Sequence, residues 1–241
     1  MEPNRIMPNV RHAIALIHPL VRTITPSLRG AVLDRIFFSP EHKFIYFRIP
    51  KSANSTIVLS LAKAMGAQDL DARGSVPKQS TKKNLKLRLC FSSLVEQCYT
   101  FTFVRDPFSR ILSAYLDKIA TENPKFLGDL KLGNRKISFL EFLKRLDDGY
   151  LTTNIHWAPQ SDIIPLHPAK LNFVGRVEHL NADLPEVMNR IFGTGDHQVV
   201  QRAHGVTSAS SRLAEFYGHQ ERQLLIKLYA RDFELFYSHS V

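Results

Sequence analysis

The chain has 241 residues, 44% of them hydrophobic, with a net charge of +10 and a sequence pI near 9.7. That length can bury one substantial core. The charge favours acidic partners (nucleotides, sulfated or uronic-acid glycans, nucleic acid, anionic lipid), the bland alternative being a solvated excess of lysine. No zinc spacing, helix-turn-helix pattern or aromatic-basic single-strand motif directs the chain to nucleic acid, so no nucleic-acid partner is expected.

Residues 1–40 read as a basic, proline-interrupted lead-in, and residues 41–241 as a single domain. The apolar stretch at 13–21 is too short to span a bilayer and is broken by His18 and Pro19. No small-residue cleavage site follows it. The expectation is a cytoplasmic protein, with membrane-surface contact through this N-terminus left open. Cys90 and Cys98 have no framework around them and read as reduced thiols.

A strand is expected at 44–49, then a helix from 55 to 65 with an apolar stripe at Ile57, Val58, Leu61, Ala62 and Met65, stopped by Gly66. Residues 67–88 are polar and lysine-rich and read as a surface loop. A second strand at 99–104 leads into a helix with Asp106 as N-cap and Pro107 in its first position. That helix carries Phe108, Ile111, Leu112, Tyr115 and Ile119 on one face. Ser138 with Glu141 three residues on is a capping box, predicting a helix over 137–146. A third strand is expected at 170–177, and a strongly helical tail at 212–236. Strands alternating with helices define an α/β fold with a mostly parallel central sheet flanked by helices.

Two of these units share a design. The strand at 44–49 ends in Pro50-Lys51-Ser52-Ala53-Asn54-Ser55-Thr56, and the strand at 99–104 ends in Arg105-Asp106-Pro107. In each, a cation stands where a strand gives way to a helix, so helix amides, the helix dipole and a fixed positive charge coincide. Such a pair suits a ligand with phosphates at both ends. In the first loop small side chains let an anion approach the backbone, and Ser55 and Thr56 add hydroxyl donors. The loop is not a Walker A motif, and alone it could be an ordinary strand-to-helix turn. In the second, Ser113 lies seven residues after Asp106, nearly two helical turns, and with Arg105 makes a phosphate clamp. The alternative is a turn held by an Arg105–Asp106 pair. Arg110, beside apolar Ile111, reads as a solvated helix residue.

Taken together these motifs resemble the carbohydrate sulfotransferase family that includes chondroitin and dermatan 4-O-sulfotransferases, the HNK-1 sulfotransferase and bacterial relatives. Residues 50–56 are similar to that family's 5′-phosphosulfate loop, and residues 103–118 to its 3′-phosphate site. His156-Trp157-Ala158-Pro159-Gln160, then Phe173-Val174-Gly175-Arg176-Val177-Glu178-His179-Leu180, are similar to two further family segments. So is Tyr229-Ala230-Arg231-Asp232-Phe233-Glu234-Leu235-Phe236-Tyr237. The likeness runs from about residue 43 to 237 in order. Where lumenal relatives often carry cysteines, this chain has Leu166-His167-Pro168-Ala169. With no anchor preceding the domain, that suits a soluble, bacterial-type member.

The resemblance implies a P-loop-like sulfotransferase architecture, 3′-phosphoadenosine-5′-phosphosulfate (PAPS) as donor, no metal, and a glycan or polysaccharide acceptor. It implies donor binding by Lys51, Ser52, Ala53, Asn54, Ser55, Thr56, Arg105 and Ser113, with Lys51 also neutralising the leaving phosphate. A base must take the acceptor proton. His156 is the first choice, because a neutral imidazole suits proton abstraction near its ordinary pKa of about 6.5; the alternative is a structural histidine packed by Trp157. Trp157 could itself form a flat wall against a sugar. Glu178 is the second choice, unless it pairs with Arg176. His167, His179, His197 and His204 read as surface residues. The lysines and arginines of residues 78–88 are expected to contribute to acceptor binding. Two other functions stand beside this one: a non-catalytic protein binding an adenine nucleotide or polyanion, and a kinase. The kinase is disfavoured by the missing Walker lysine and magnesium carboxylate.

Overall fold

The computed structural model describes residues 18–66, 95–122, 126, 130, 135–200 and 208–238. Four strands form one sheet in chain order: β1 (Ile36–Ser39), β2 (Phe44–Phe47), β3 (Tyr99–Val104) and β4 (Phe173–Arg176). β1 pairs with β2 antiparallel, while β2–β3 and β3–β4 are parallel. The sheet is therefore mixed but mostly parallel, as the alternation of strands and helices requires.

Side chains alternate across the sheet with period two. Phe44, Tyr46, Phe101 and Phe103 face one side, and Ile45, Phe47 and Val104 the other. Tyr46 lies opposite Phe101 in the parallel register, and their rings stack at 4.9 Å and 3°. Phe103 lies opposite Gly175, where a Cβ would stand 2.4 Å from the phenylalanine ring. Only glycine admits that ring, which explains the glycine of the Phe-Val-Gly segment.

Helices cover both faces. They are α1 (Pro26–Leu33), α2 (Asn54–Ala64), α3 (Pro107–Ala114), α4 (Phe139–Arg145), the short α5 (Gln160–Ile163) and α6 (Leu180–Phe192). α7 (Leu213–Phe216), α8 (His219–Leu228) and α9 (Ala230–Phe236) follow. Ile57, Val58 and Leu61 of α2 pack with Leu184, Val187 and Met188 of α6 on the Tyr46 side. α3 and α4 line the opposite side with the C-terminal helices. Both caps read from the sequence form: Asp106 accepts the N–H groups of Phe108 and Ser109, and Ser138–Glu141 makes a complete capping box.

Three elements differ from the sequence reading. Part of the lead-in folds onto the sheet, as α1 and β1, and Leu20 and Val21 of the apolar N-terminal stretch are core residues. The rest of that stretch, Cys90 and residues 67–94 lie outside the described residues; Cys98 is buried and free. α6 was not anticipated, because Pro185 interrupts its pattern. The helical tail is divided at Tyr217-Gly218 and Tyr229, where the two tyrosine hydroxyls reach back to the carbonyls of Phe108 and Trp157. Among the described residues no helix is long and apolar enough to cross a membrane.

Candidate active site

β2 and β3 are parallel neighbours, so their carboxyl ends, and the loops leaving them, lie side by side. In open α/β sheets this is where ligands bind.

The first loop turns sharply. Lys51 and Ala53 have φ of 69° and 48°, a left-handed geometry that costs about 1–3 kcal/mol at a non-glycine residue and persists only where the surroundings impose it. α2 then starts with no side chain capping it, and the N-terminal turn of a helix is where backbone amides receive an anion. The ammonium of Lys51 lies 2.9 Å from Asp117 Oδ2, and Lys118 lies 3.0 Å from the same oxygen. Burial lowers the Lys51 pKa against the opposing pull of Asp117. Burial alone would raise Asp117, but hydrogen bonds from Lys51 and Lys118 hold its carboxyl below its ordinary value. Asp117 and Lys118 belong to a π turn, Tyr115–Ile119, in which the Ala120 N–H donates to the Tyr115 carbonyl at 2.9 Å. Such a turn inserts a residue into the helical path and re-aims the side chains beyond it.

The other loop residues divide. Ser52 is buried and its hydroxyl donates to Gln160 Oε1 at 3.2 Å. Asn54 Oδ1 accepts from Arg48 Nε at 2.8 Å. Ala53, Ser55 and Thr56 are partly exposed.

The second loop is built differently from the expectation. Its helix amides are already taken, because the Asp106 carboxylate caps them at 3.3 Å (Phe108) and 2.9 Å (Ser109). Side chains must hold any anion there. Arg105 does not pair with Asp106; its guanidinium donates to the Lys51 carbonyl at 3.1 Å and to Ser210 Oγ at 3.0 Å. Burial lowers the Arg105 pKa, and the charges of Glu178 and Asp106 oppose that. Ser113 is buried in the last turn of α3.

Gln160, fully buried, joins the two loops. Its Oε1 accepts the Arg105 N–H at 2.9 Å as well as the Ser52 hydroxyl, and its Nε2 donates to the Arg105 carbonyl at 2.9 Å. Its own N–H and that of Ser161 donate to the buried Asp232 carboxylate, each at 2.8 Å. Arg110, read as solvated, is also fully buried and donates to the carbonyls of Pro50 (3.1 Å), Ala158 (2.9 Å) and Ile155 (3.3 Å). It staples the lysine loop to the segment that carries His156.

The His156 backbone N–H donates to Asn154 Oδ1 at 3.0 Å, and Nδ1 stands 2.8 Å from the same atom. The backbone donor establishes that atom as an acceptor, so the ring proton sits on Nδ1 and Nε2 carries the lone pair. Burial, and then the charges of Arg35, Lys118, Lys51 and Arg110, push the imidazole down to about 3. The expected titration near 6.5 is thus replaced by a histidine that is neutral across the physiological range. Trp157 is buried and donates from Nε1 to the Tyr150 carbonyl at 3.0 Å, so it forms no wall for a sugar.

Both oxygens of Glu178 are engaged: one accepts the Asp106 N–H at 2.9 Å, the other the Tyr237 hydroxyl at 3.1 Å. The alternative partner, Arg176, instead donates to the Phe236 carbonyl at 2.6 Å and lies over the Tyr237 ring. Residues 78–88 lie outside the described residues. Among the described residues no cluster of His, Cys, Asp and Glu could hold a metal ion.

Parallel strands followed by adjoining, cation-bearing loops define an α/β protein with positive charge concentrated at the carboxyl end of its sheet. A model of the sulfotransferase family matches residues 34–238, and the chain belongs to that family. It is 24% identical to carbohydrate sulfotransferase 14 of Danio rerio, covering 71% of this chain and 52% of that protein. It is 28% identical to carbohydrate sulfotransferase 10 of Mus musculus, covering 85% of this chain and 67% of that protein. The chain thus spans about half to two thirds of the length of these relatives. No solved structure matches it.

Proposed function

We propose that the protein transfers a sulfuryl group from PAPS to a hydroxyl of a carbohydrate acceptor. The observation that carries this reading is the Gln160 lock, which fixes the lysine loop and the arginine loop at one spacing. Fixed spacing is what a nucleotide with a phosphate on each side of its ribose requires. The names of the relatives, both carbohydrate sulfotransferases, support the acceptor class.

In this reading the uncapped amides of α2 and the Lys51 ammonium hold the 5′-phosphosulfate. Arg105 and Ser113 receive the 3′-phosphate. The sulfur–oxygen bond to the leaving phosphate breaks as a bond to the acceptor oxygen forms, and Lys51 stabilises the charge gathering on the leaving oxygen. The acceptor proton passes to His156 Nε2, with Asn154 holding the ring in the required tautomer. The products are adenosine 3′,5′-bisphosphate and a sulfate ester. Glu178, with both oxygens accepting, acts through the Asp106 amide as a positioning residue.

Thermal melting tests the donor. Adenosine 3′,5′-bisphosphate is expected to raise the Tm while ATP with magnesium does not, and equal responses would overturn the donor assignment. Transfer of labelled sulfate to a panel of polysaccharides then separates an enzyme from a non-catalytic nucleotide-binding protein.

A further inference from the structure

One stretch of chain reaches both loops. Arg105 stands in the second loop, while the π turn after α3 brings Asp117 and Lys118 to the first. A single carboxylate oxygen, Asp117 Oδ2, meets the Lys51 ammonium at 2.9 Å and the Lys118 ammonium at 3.0 Å. An anionic oxygen held between two ammoniums is the arrangement that an oxygen of a phosphosulfate requires. The Asp117 side chain is 40% exposed, whereas those of Lys51 and Lys118 are only 13% and 20% exposed. The carboxylate is therefore the member that can swing into water, and the ammoniums are the members held in place. Short π segments inside helices are frequent at functional sites.

Lys118 also faces the histidine. Its ammonium lies 4.7 Å from the centroid of the Phe126 ring, where the ring quadrupole attracts a cation. That ring meets the His156 imidazole edge-on, with centroids 5.1 Å apart and planes at 80°. Through one side chain each, Lys118 is thus linked to Lys51, placed at the leaving oxygen, and to His156, placed at the acceptor hydroxyl. The group in transit passes between those two positions. The positive charge of Lys118 is among those that hold the imidazole neutral.

We propose that Lys118 is a further catalytic residue, whose ammonium leaves Asp117 to hold the oxygens of the sulfuryl group as that group passes to the acceptor. This rests on the sulfotransferase reading. The sulfur–oxygen bond to the phosphate breaks and the bond to the acceptor oxygen forms, while the remaining oxygens stay on sulfur and keep their charge. Lys51 stabilises the charge that gathers on the leaving oxygen, and Lys118 the charge that travels with the sulfuryl group. Arg105 and Ser113 stay with the 3′-phosphate.

Calorimetry on the full chain tests this by comparing PAPS with adenosine 3′,5′-bisphosphate, which has both phosphates of the donor and no sulfuryl group. Two neutral variants, Lys118→Met and Lys118→Gln, should each bind PAPS about tenfold more weakly or worse, the effect of losing a charge-assisted contact. Both should bind the bisphosphate nearly as the wild type does. Lys118→Arg keeps the charge and should recover much of the lost affinity for PAPS. Equal losses for the two nucleotides would assign Lys118 to the phosphates, and no loss for either would leave it a partner of Asp117 alone. Each of those results overturns this inference and leaves the sulfotransferase reading standing. A wild type that binds neither nucleotide overturns that reading, and the inference falls with it.

Discussion

Gln160 holds Arg105 by both edges of its peptide backbone, accepting its N–H and donating to its carbonyl, each at 2.9 Å. A primary amide sets an acceptor and a donor side by side, at the spacing a peptide's N–H and carbonyl require. Gln160→Glu keeps the shape but removes the donor, and sets a carboxylate against the Arg105 carbonyl. Leaving a buried group unsatisfied costs about 1–3 kcal/mol. The variant should bind adenosine 3′,5′-bisphosphate at least about tenfold more weakly, with a smaller change for adenosine 5′-monophosphate, which engages one loop. Calorimetry with both nucleotides decides it: equal losses would mean that the amide supports the fold and not the spacing.

Lys51→Ala should leave the fold intact and lower the sulfation rate by about 10²–10³ or more, the effect of losing one electrostatic stabiliser of the transition state. Near-normal turnover in this variant would remove Lys51 from the chemistry.

Arg105→Ala should weaken binding of adenosine 3′,5′-bisphosphate by about 1.5–3 kcal/mol, the worth of a charge-assisted contact, and affect adenosine 5′-monophosphate less. Because the guanidinium also donates to the Lys51 carbonyl, a modest drop in Tm is expected too. Calorimetry showing the same loss for both nucleotides would make the arginine structural.

Arg110 is fully buried and bound to main-chain carbonyls, with Asp232 the principal opposite charge acting on it. Leaving buried polar groups without their partners costs about 1–3 kcal/mol each. Arg110→Met should therefore be among the most destabilising changes in the chain, measured as a lower denaturation midpoint in guanidinium chloride. A midpoint within experimental error of wild type would contradict the geometry.

His156 contributes one part of the pH dependence. Its folded pKa, about 3, lies below its ordinary value of 6.5, so between these values the unfolded chain binds a proton that the folded chain does not. Stability contributed by this group is complete above about pH 6.5 and declines as the pH falls toward 3. His156→Gln should flatten that decline in a series of thermal melts. The same variant should lose most turnover yet keep its affinity for adenosine 3′,5′-bisphosphate, and the wild-type pH–rate profile should lack an ascending limb at 6.5. An ascending limb there would show that the bound donor restores the imidazole's ordinary basicity.

The features legible in the sequence were local ones. The strand at Tyr99–Val104 and the caps Asp106-Pro107 and Ser138–Glu141 are written in adjacent residues, and they form where expected. Lys51 and Arg105 could be placed because each lies in the loop that follows its own strand. β1 is only four residues long, with no alternation to betray it, and Pro185 hid α6. Gln160 and Asp232 were invisible as site residues because their partners lie 55 and 72 residues away along the chain. Arg110 was misread because a charged residue beside Ile111 suggests solvent, whereas α3 is buried on nearly every side. Such long-range pairings have no short-range signature.

The Asp232 carboxylate and the Tyr237 hydroxyl, which brace Gln160 and Glu178 respectively, give the site an order of assembly. The residues assigned to the nucleotide, Lys51 to Thr56 with Arg105 and Ser113, all precede Gln160, yet the two braces come from the last described helix and the residue immediately after it. A nascent chain therefore has both phosphate loops long before it can lock them together. Donor binding should switch on abruptly once the segment through Tyr237 has left the ribosome, and a chain halted just before Asp232 should carry both loops and be unable to hold its substrate.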